Sequence, residues 1–230
     1  MKDKVKVIAF DADDTLWENE PYFRKSEDQF AEMMSDYMPP HDVNRALLKT
    51  EIDNLPTFGY GVKSFVISMI ETAMKLSDGT ISGKMVEKII EIGRNQLNQP
   101  VFVLDGVEKV LKALQNKYKL VMATKGDLME QEGKLEKSGL EQYFHHIEVL
   151  SEKKKSNYDK LIAHLDVRPE EFLMIGNSVR SDILPVLELG GNAIHVPFHT
   201  TWEYEKAEVN LDHASFHALE HIEQVLELVG

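Results

Sequence analysis

Residues 5–16 read VKVIAFDADDTL, a short apolar run that ends abruptly in acidic side chains. The run from Val5 to Phe10 is rich in β-branched residues and predicts a buried strand. Three carboxylates follow within four residues, at Asp11, Asp13 and Asp14. Carboxylates this close to one another repel each other unless a cation is present. In open α/β sheets, ligands bind beyond the carboxyl ends of the strands. The segment therefore predicts a buried strand with a ligand site at its carboxyl end.

Four downstream segments have the same near-continuous apolar character and are predicted to be strands: Lys119–Ala123, His146–Leu150, Phe172–Ile175 and Ala193–Val196. Helical segments lie between these four, which is typical of βαβ units whose strands are covered on both faces. The predicted helices are Gly106–Lys117, Leu128–Ser138, Asn157–Leu165, Asp182–Leu189 and Phe216–Leu228. We expect a doubly wound parallel sheet in an α/β core.

Residues 17–100 interrupt this alternation and show helical periodicity instead. Apolar side chains recur at three-and-four spacing in two groups: Phe23, Phe30, Met33, Met34 and Tyr37, and Val62, Phe65, Val66, Met69, Ile70, Ala73 and Met74. We predict three or four helices, separated at Pro39-Pro40, Pro56 and Ser77-Asp78-Gly79. The expected domains are a core of residues 1–16 and 101–230 and a helical insertion of residues 17–100.

The composition excludes several classes of protein. With 26 basic and 39 acidic residues, the net charge of −13 disfavours nucleic acid as a partner, although a local positive cluster can still bind a phosphorylated metabolite. The absence of cysteine excludes disulfides, thiolate metal sites and a cysteine nucleophile. The apolar run before Asp11 is too short for a signal peptide and no apolar stretch of membrane-spanning length follows, so we expect a soluble, cytoplasmic protein with no membrane partner. The oligomeric state is not encoded in any recognisable pattern.

Polar groups also follow the other predicted strands. The sequence GNSVRSD at 176–182 places Asp182 after the fourth strand, unless Asn177 or Ser178 simply caps a helix there. The residues Thr124-Lys125-Gly126-Asp127 after the second strand could hold phosphate oxygens or form an ordinary turn. Lys153–Lys155 follow the third of these strands, and one of these lysines could neutralise the negative charge of the site. The alternative is that all three are solvent-exposed, as clustered lysines usually are. For the acidic cluster itself, a solvated turn or helix cap stays open, whereas an EF-hand is excluded because Leu16 and Tyr22 stand where that loop needs Gly and Glu.

These four strand ends together resemble the haloacid dehalogenase superfamily, over essentially the whole chain. The resemblance lies in DADDTL at 11–16, Thr124, the lysines at 153–155 and GNSVRSD at 176–182. It implies a Rossmann-like core with an inserted α-helical cap and a magnesium-dependent phosphatase acting on a small phosphorylated metabolite. Asp11 is then the nucleophile that forms an aspartyl phosphate, and Asp13 the general acid and base.

The resemblance also implies the remaining site residues. Mg²⁺ would be held by the Asp11 carboxylate, the Asp13 backbone carbonyl and Asp182, and Thr124 and a lysine would complete a phosphate cradle. Lys153 fits the spacing best, with Lys154 and Lys155 as alternatives. Asn177 stands where the family usually has Asp; we expect altered metal affinity with retained activity. Candidate substrate contacts are Thr124, Lys125, Trp17 and Tyr60, with core packing as the alternative for the aromatic residues.

Three other functions share parts of this pattern. A phosphomutase would use the same acid pair, whereas a haloacid dehalogenase needs neither the second acid, Asp13, nor a metal. A non-catalytic phosphate-binding regulatory module is suggested by Asn177. Phosphatase activity is the leading hypothesis, and its substrate is not encoded in the motifs.

Overall fold

Six parallel strands form the sheet of this computed structural model, which describes residues 4–207 and 212–230. They are β1 Val7–Phe10, β2 Lys119–Lys125, β3 His146–Leu150, β4 Phe172–Gly176, β5 Asn192–His195 and β6 Phe216–Ala218. Their order is β3-β2-β1-β4-β5-β6, and Phe10 of β1 pairs with Met122 on one side and Ile175 on the other. The direction of winding reverses between β1 and β4, so the carboxyl ends of these two strands flank the point where doubly wound sheets bind ligands. The predicted fold class is confirmed.

Both faces of the sheet are covered, as the apolar strands predict. Successive β1 side chains point to opposite faces. Phe10 packs in one buried cluster with Leu111, while Ala9 packs in a second cluster with Tyr158. This burial on both sides explains why β1 lacks an alternation of apolar and polar residues.

The helices, in chain order, are α1 Glu20–Met33, α2 Pro40–Phe58, α3 Val62–Leu76, α4 Gly83–Leu97, α5 Val107–Leu114, α6 Leu128–Ser138, α7 Lys155–His164, α8 Leu184–Leu187 and α9 Val225–Val229. No helix in the described part of the chain has the length and apolar character needed to cross a membrane.

The chain divides into two units. The sheet unit contains residues up to 20, residues 101–125 and the described residues from 132 onward, and the helical unit contains residues 21–100 and 126–131. The boundaries therefore differ from the expected 17–100 at two places, because residues 17–20 pack with the sheet and residues 126–131 pack with the helices. The assignment of the helical unit as a cap stays a prediction.

The helical unit has its own core, built from the faces that the periodicity predicted. Its fully or almost fully buried members include Phe30, Leu47, Phe65, Met69 and Ile89, which come from α1, α2, α3 and α4. Burying these side chains removes a large apolar area from water and holds the four helices together.

Residues 126–131 join this unit through the start of α3. Glu130 accepts a hydrogen bond from the backbone N–H of Val62 at 2.9 Å, and Lys63 pairs with Asp127 at 2.9 Å. Gly61, with φ of 105°, precedes α3 at a point where a Cβ would come within 2.8 Å of the Glu130 carboxylate. The positive φ favours glycine there, and a side chain would in addition displace the Glu130 carboxylate.

Three sequence predictions differ in detail from the structure. The predicted helix Phe216–Leu228 begins instead with β6, because Phe216–Ala218 pairs with the edge of β5, and only α9 at its end is α-helical. Pro56 lies in the last turn of α2, so the predicted break at this proline precedes the end of the helix at Phe58 by two residues. The predicted helix Asp182–Leu189 is a π-helical turn, Val179–Ile183, followed by α8.

Candidate active site

The end of β1 fixes Asp11. Its backbone N–H donates to the carbonyl of Ile175 at 2.9 Å, so the ladder between β1 and β4 continues to this residue. The chain then turns sharply, since the Ala12 carbonyl accepts hydrogen bonds from the N–H groups of Thr15 and Leu16. This turn brings the Thr15 hydroxyl to 3.2 Å from Asp11 Oδ2. The Asp11 carboxylate is thus buried and held at the carboxyl end of β1.

Lys153 connects Asp11 to the fourth motif. Its ammonium donates to Asp11 Oδ1 and, at 2.7 Å, to Asp182 Oδ1. All three side chains are almost completely buried. Lys154 pairs with Glu152 and Lys155 begins α7, and both are exposed. Of the three candidate lysines, Lys153 is therefore the one that lies at the site.

The charges of this group do not balance, because one ammonium faces two carboxylates. Burial, reinforced by the negative charge of Asp182, raises the pKa of Asp11 to about 7 despite the opposing effect of Lys153. Burial lowers the pKa of Lys153, but the charges of Asp11 and Asp182 outweigh it and hold that pKa well above its ordinary value. The buried group therefore has a charge deficit that a further cation would correct.

Asp182 occupies its position because Gly176 has no side chain. A Cβ on Gly176 would lie 2.3 Å from Asp182 Oδ2. The backbone N–H of Ser178 donates to that same oxygen at 2.9 Å, and the Asp182 N–H donates back to the Ser178 carbonyl at 2.8 Å. The π-helical turn Val179–Ile183 aims the carboxylate back at the strand end, as such turns often do at functional sites.

Asp13 faces a different set of partners. Its Oδ1 accepts from the indole N–H of Trp17 at 2.8 Å and from the ammonium of Lys134 at 3.0 Å. Lys134 also donates to Asn19 at 2.8 Å. Trp17 is fully buried in the core of the sheet unit, so its placement favours core packing and orientation of Asp13 over the predicted contact with substrate. Lys134 was not identified from the sequence, because a lysine on α6 has no distinguishing pattern.

Asp14, the third acid of the cluster, does not contribute to the site. It has φ of 62°, and its carboxylate accepts from the backbone N–H groups of Asn19 and Glu20 at the start of α1. Burial raises its pKa to about 8, although both backbone donors lower it. The capping alternative therefore applies to Asp14, whereas Asp11 points into the site.

Thr124 lies on β2 and Asn177 directly follows β4, and these are the two strands that flank β1. The amide Oδ1 of Asn177 lies 3.4 Å from the Thr15 hydroxyl, which also bonds Asp11. Thr124, near the end of β2, is buried, and its hydroxyl donates to the Lys125 carbonyl at 3.2 Å. The predicted substrate contact Tyr60 is half-buried in the helical unit, in the loop between α2 and α3.

The Lys125 side chain pairs with other residues of the sheet unit. Its ammonium donates to Glu205 Oε1 at 2.5 Å and to the Ser181 hydroxyl at 3.0 Å. Glu205 Oε2 also accepts from the hydroxyls of Ser178 and Ser181. Burial raises the pKa of Glu205, but the charge of Lys125 and these hydrogen bonds outweigh it and hold that pKa below its ordinary value. Glu205 lies in a short 3-10 turn 80 residues from Lys125, so no local sequence signal could have revealed it.

The oxygen atoms at the site fit a hard divalent cation. Asp11 and Asp182 present carboxylates that already share one ammonium, and Asn177 adds a neutral amide oxygen linked to Asp11 through Thr15. No cluster of three or more His, Cys, Asp or Glu side chains able to hold an ion occurs among residues 4–207 and 212–230. An ion would therefore have to combine the two carboxylates with amide or backbone oxygens, which Mg²⁺ accepts together with water.

Comparisons with known proteins agree on the family. The family described as haloacid dehalogenase-like hydrolase matches residues 5–190. A haloacid dehalogenase-like family hydrolase from Xanthomonas campestris is 38% identical, with a TM-score of 0.84 over 96% of this chain and 92% of that chain. No curated protein sequence matches significantly.

Two more distant structures share the fold. The HAD-hydrolase YfnB from Bacillus subtilis, bound to magnesium, has 16% identity and a TM-score of 0.66 over 99% of each chain. A 2-haloacid dehalogenase from Pseudomonas syringae pv. tomato has 16% identity and a TM-score of 0.67 over 97% of each. Because structures described as a phosphatase and as a dehalogenase resemble the chain about equally well, the fold alone does not select the reaction.

Proposed function

The chain belongs to the haloacid dehalogenase-like hydrolase family, and we propose that it is a magnesium-dependent phosphatase of a small phosphorylated metabolite. The observation that carries this proposal is the burial of Asp11 and Asp182 around the single ammonium of Lys153, at the carboxyl ends of the strands. This arrangement combines a nucleophilic carboxylate, a fixed positive charge and a charge deficit suited to a divalent ion.

The residues divide the reaction into two displacements. An oxygen of Asp11 attacks phosphorus, the bond from phosphorus to the ester oxygen breaks, and Asp13 gives its proton to the departing alkoxide. Asp13 then takes a proton from a water molecule that attacks the aspartyl phosphate, which releases inorganic phosphate and restores Asp11. One carboxyl group can serve as acid and then as base because the first step leaves it ionised for the second.

The other side chains orient and neutralise. Trp17 and Lys134 hold the Asp13 carboxylate, and Lys153 stabilises the charge that gathers on the transferring phosphoryl group, together with the hydroxyl of Thr124. Asp11, Asp182, Asn177 and the Asp13 backbone carbonyl would hold Mg²⁺. When bound, the ion would offset negative charge at phosphorus. The magnesium in the structure of the Bacillus subtilis relative supports this choice of metal.

Release of inorganic phosphate from p-nitrophenyl phosphate and from a panel of phosphorylated metabolites tests the proposal. We expect activity that requires Mg²⁺ and is abolished by Asp11→Asn, while Asp105→Asn, an exposed acid before α5, retains it. Activity that survives Asp11→Asn would exclude the covalent mechanism. Halide release from a 2-haloacid without metal would identify a dehalogenase, and phosphate moved within a sugar would identify a phosphomutase.

Intact-protein mass spectrometry tests the intermediate directly. Without the base that activates water, Asp13→Asn should accumulate a phosphoryl group on the protein when an aryl phosphate is added, because this leaving group needs little protonation. The double variant with Asp11→Asn should carry none. A phosphoryl group that persists in the double variant would show that Asp11 is not the nucleophile.

A further inference from the structure

Four residues that the proposed reaction does not use form a hydrogen-bonded polar group in the sheet unit. Glu205 is at its centre, with Lys125, Ser178 and Ser181 around it, and we call this group the Glu205 clasp. Its four contacts range from 2.5 to 3.0 Å. The Lys125 and Glu205 side chains are only 14% and 11% exposed. Such burial makes the pair costly to break, because removing one partner leaves the other charge uncompensated.

The clasp joins two strand ends that flank the nucleophile. Lys125 is the last residue of β2 and follows Thr124 directly, whereas Ser178 and Ser181 lie just beyond β4. In the sheet order β2 and β4 are separated only by β1, which carries Asp11. The Lys125 to Glu205 pair therefore links the proposed phosphate cradle to the proposed metal-binding turn across the strand between them.

The clasp also continues into the metal-binding turn. Ser178 accepts a hydrogen bond from the Ser181 N–H through its hydroxyl, and its own N–H donates to Asp182 Oδ2. A shift of Ser178 would therefore move the Asp182 carboxylate. On the outside of the same turn, Arg180 donates to the Tyr204 carbonyl at 2.8 Å and stacks over its ring at 4.0 Å, which fastens the segment that carries Glu205.

We propose that Glu205 is a positioning residue that fixes the distance between the end of β2 at Thr124 and the π-helical turn that carries Asp182. Lys125 is then the partner of Glu205 and not a direct ligand of the substrate phosphate. This inference rests on the proposed function for its catalytic consequences. The structural consequence, that Glu205 restrains the end of β2 and the turn that carries Asp182, does not depend on which substrate the enzyme hydrolyses.

The variants Glu205→Gln and Lys125→Met test the proposal, with Glu203→Gln as the matched control. Glu203 lies in the same 3-10 turn, but its carboxylate is 56% exposed and pairs with the exposed Lys206. We expect Glu205→Gln and Lys125→Met each to lower kcat and Mg²⁺ affinity about 10- to 100-fold, as loss of supporting contacts around a metal site does. The double variant should be hardly worse than either single variant, because both remove one interaction. Glu203→Gln should behave as the wild type.

Inhibition by inorganic phosphate distinguishes positioning from direct binding. If Lys125 contacted the substrate phosphate, Lys125→Met would weaken phosphate inhibition strongly, and Glu205→Gln would not. Under the proposal the inhibition constants of the two variants stay within about threefold of each other. A large loss confined to Lys125→Met would overturn the proposal.

Hydrogen exchange gives a measurement that needs neither substrate nor metal. In Glu205→Gln, amides in the peptides covering 121–127 and 176–184 should exchange faster, whereas those in β1 and α7 should not change. Glu205→Asp should give intermediate rates if the carboxylate is what matters. Unchanged exchange in both peptides would contradict the proposal about Glu205, whether or not the wild type is a phosphatase. Absence of phosphatase activity alone would contradict only the proposed function.

Discussion

The ammonium of Lys153 donates to Oδ1 of Asp11 and to Oδ1 of Asp182, although 142 residues separate it from the first and 29 from the second. The lysine follows β3, the edge strand, while its two partners follow β1 and β4 in the interior of the sheet. Because β2 lies between β3 and β1, the contact joins segments that follow strands that are not neighbours. This single cation is what permits two carboxylates to be buried side by side.

Replacing Lys153 by Met should therefore destabilise the protein and inactivate it. Two uncompensated buried carboxylates cost about 3–5 kcal/mol, and loss of the fixed charge should reduce kcat about 100-fold or more. Urea unfolding in EDTA measures the first effect. Added Mg²⁺ should restore part of the stability, because an ion that binds only the folded protein stabilises it. Lys154→Met, at an exposed neighbour, should stay within about 0.5 kcal/mol of the wild type.

Lys134→Met should impair the acid step, since it removes the cation that orients Asp13. We expect kcat/KM to fall about 10- to 100-fold for an alkyl phosphate. The loss should be smaller for p-nitrophenyl phosphate, whose leaving group needs less help from an acid. Lys137→Met, an exposed position on the same helix, is the control. Equal losses for the two substrates would show that Lys134 does not act on the step in which Asp13 protonates the leaving group.

Asn177→Asp should increase the affinity for Mg²⁺ and lower the stability of the metal-free protein. The added carboxylate lies 3.4 Å from the Thr15 hydroxyl that also bonds Asp11, so it increases the negative charge there. Calorimetry should show Mg²⁺ affinity increased about tenfold, and unfolding in EDTA should show a less stable protein. Asn98→Asp, an exposed change in the helical unit, should leave Mg²⁺ affinity unchanged. Unchanged Mg²⁺ affinity would place the ion away from Asn177.

Glu171→Gln should destabilise the protein at neutral pH but not in strong acid. Glu171 bonds the Arg168 guanidinium at 3.1 Å and Lys6 at 2.7 Å, and these contacts lower its pKa from 4.5 to about 2. Because the folded-state pKa is depressed, this contribution to stability is fully present above about pH 4.5. It is lost as the pH falls through about 2.

Urea midpoints of the wild type and Glu171→Gln, measured between pH 7 and pH 2, check this dependence. The difference should be constant above about pH 5 and should shrink steadily toward pH 2. Glu170→Gln, at a 47% exposed carboxylate that also pairs with Arg168, should show a much smaller effect. A difference that is independent of pH would mean that Glu171 contributes by packing and not by charge.

Local pattern was sufficient for much of this fold. Five of the six strands and the fold class followed from apolar runs of strand length, because buried parallel strands carry that signal in their own residues. β6 was missed because its three residues become a strand only by pairing with β5. The predicted break at Pro56 differs from the end of α2 by two residues, because proline weakens a helix without fixing the residue at which it ends.

By itself the sequence predicted which strand ends carry the candidate site residues, since Asp11, Asp13, Thr124, Lys153 and Asp182 all stand within a few residues of a recognisable strand end. Only the tertiary structure decided the partners: Lys153 rather than Lys154 reaches Asp11, Asp14 caps a helix, Lys134 holds Asp13, and Glu205 binds Lys125. The physical reason is that a strand's burial is recorded in its own residues, whereas an ion pair between distant segments depends on which side chains the completed sheet places within about 3 Å of each other.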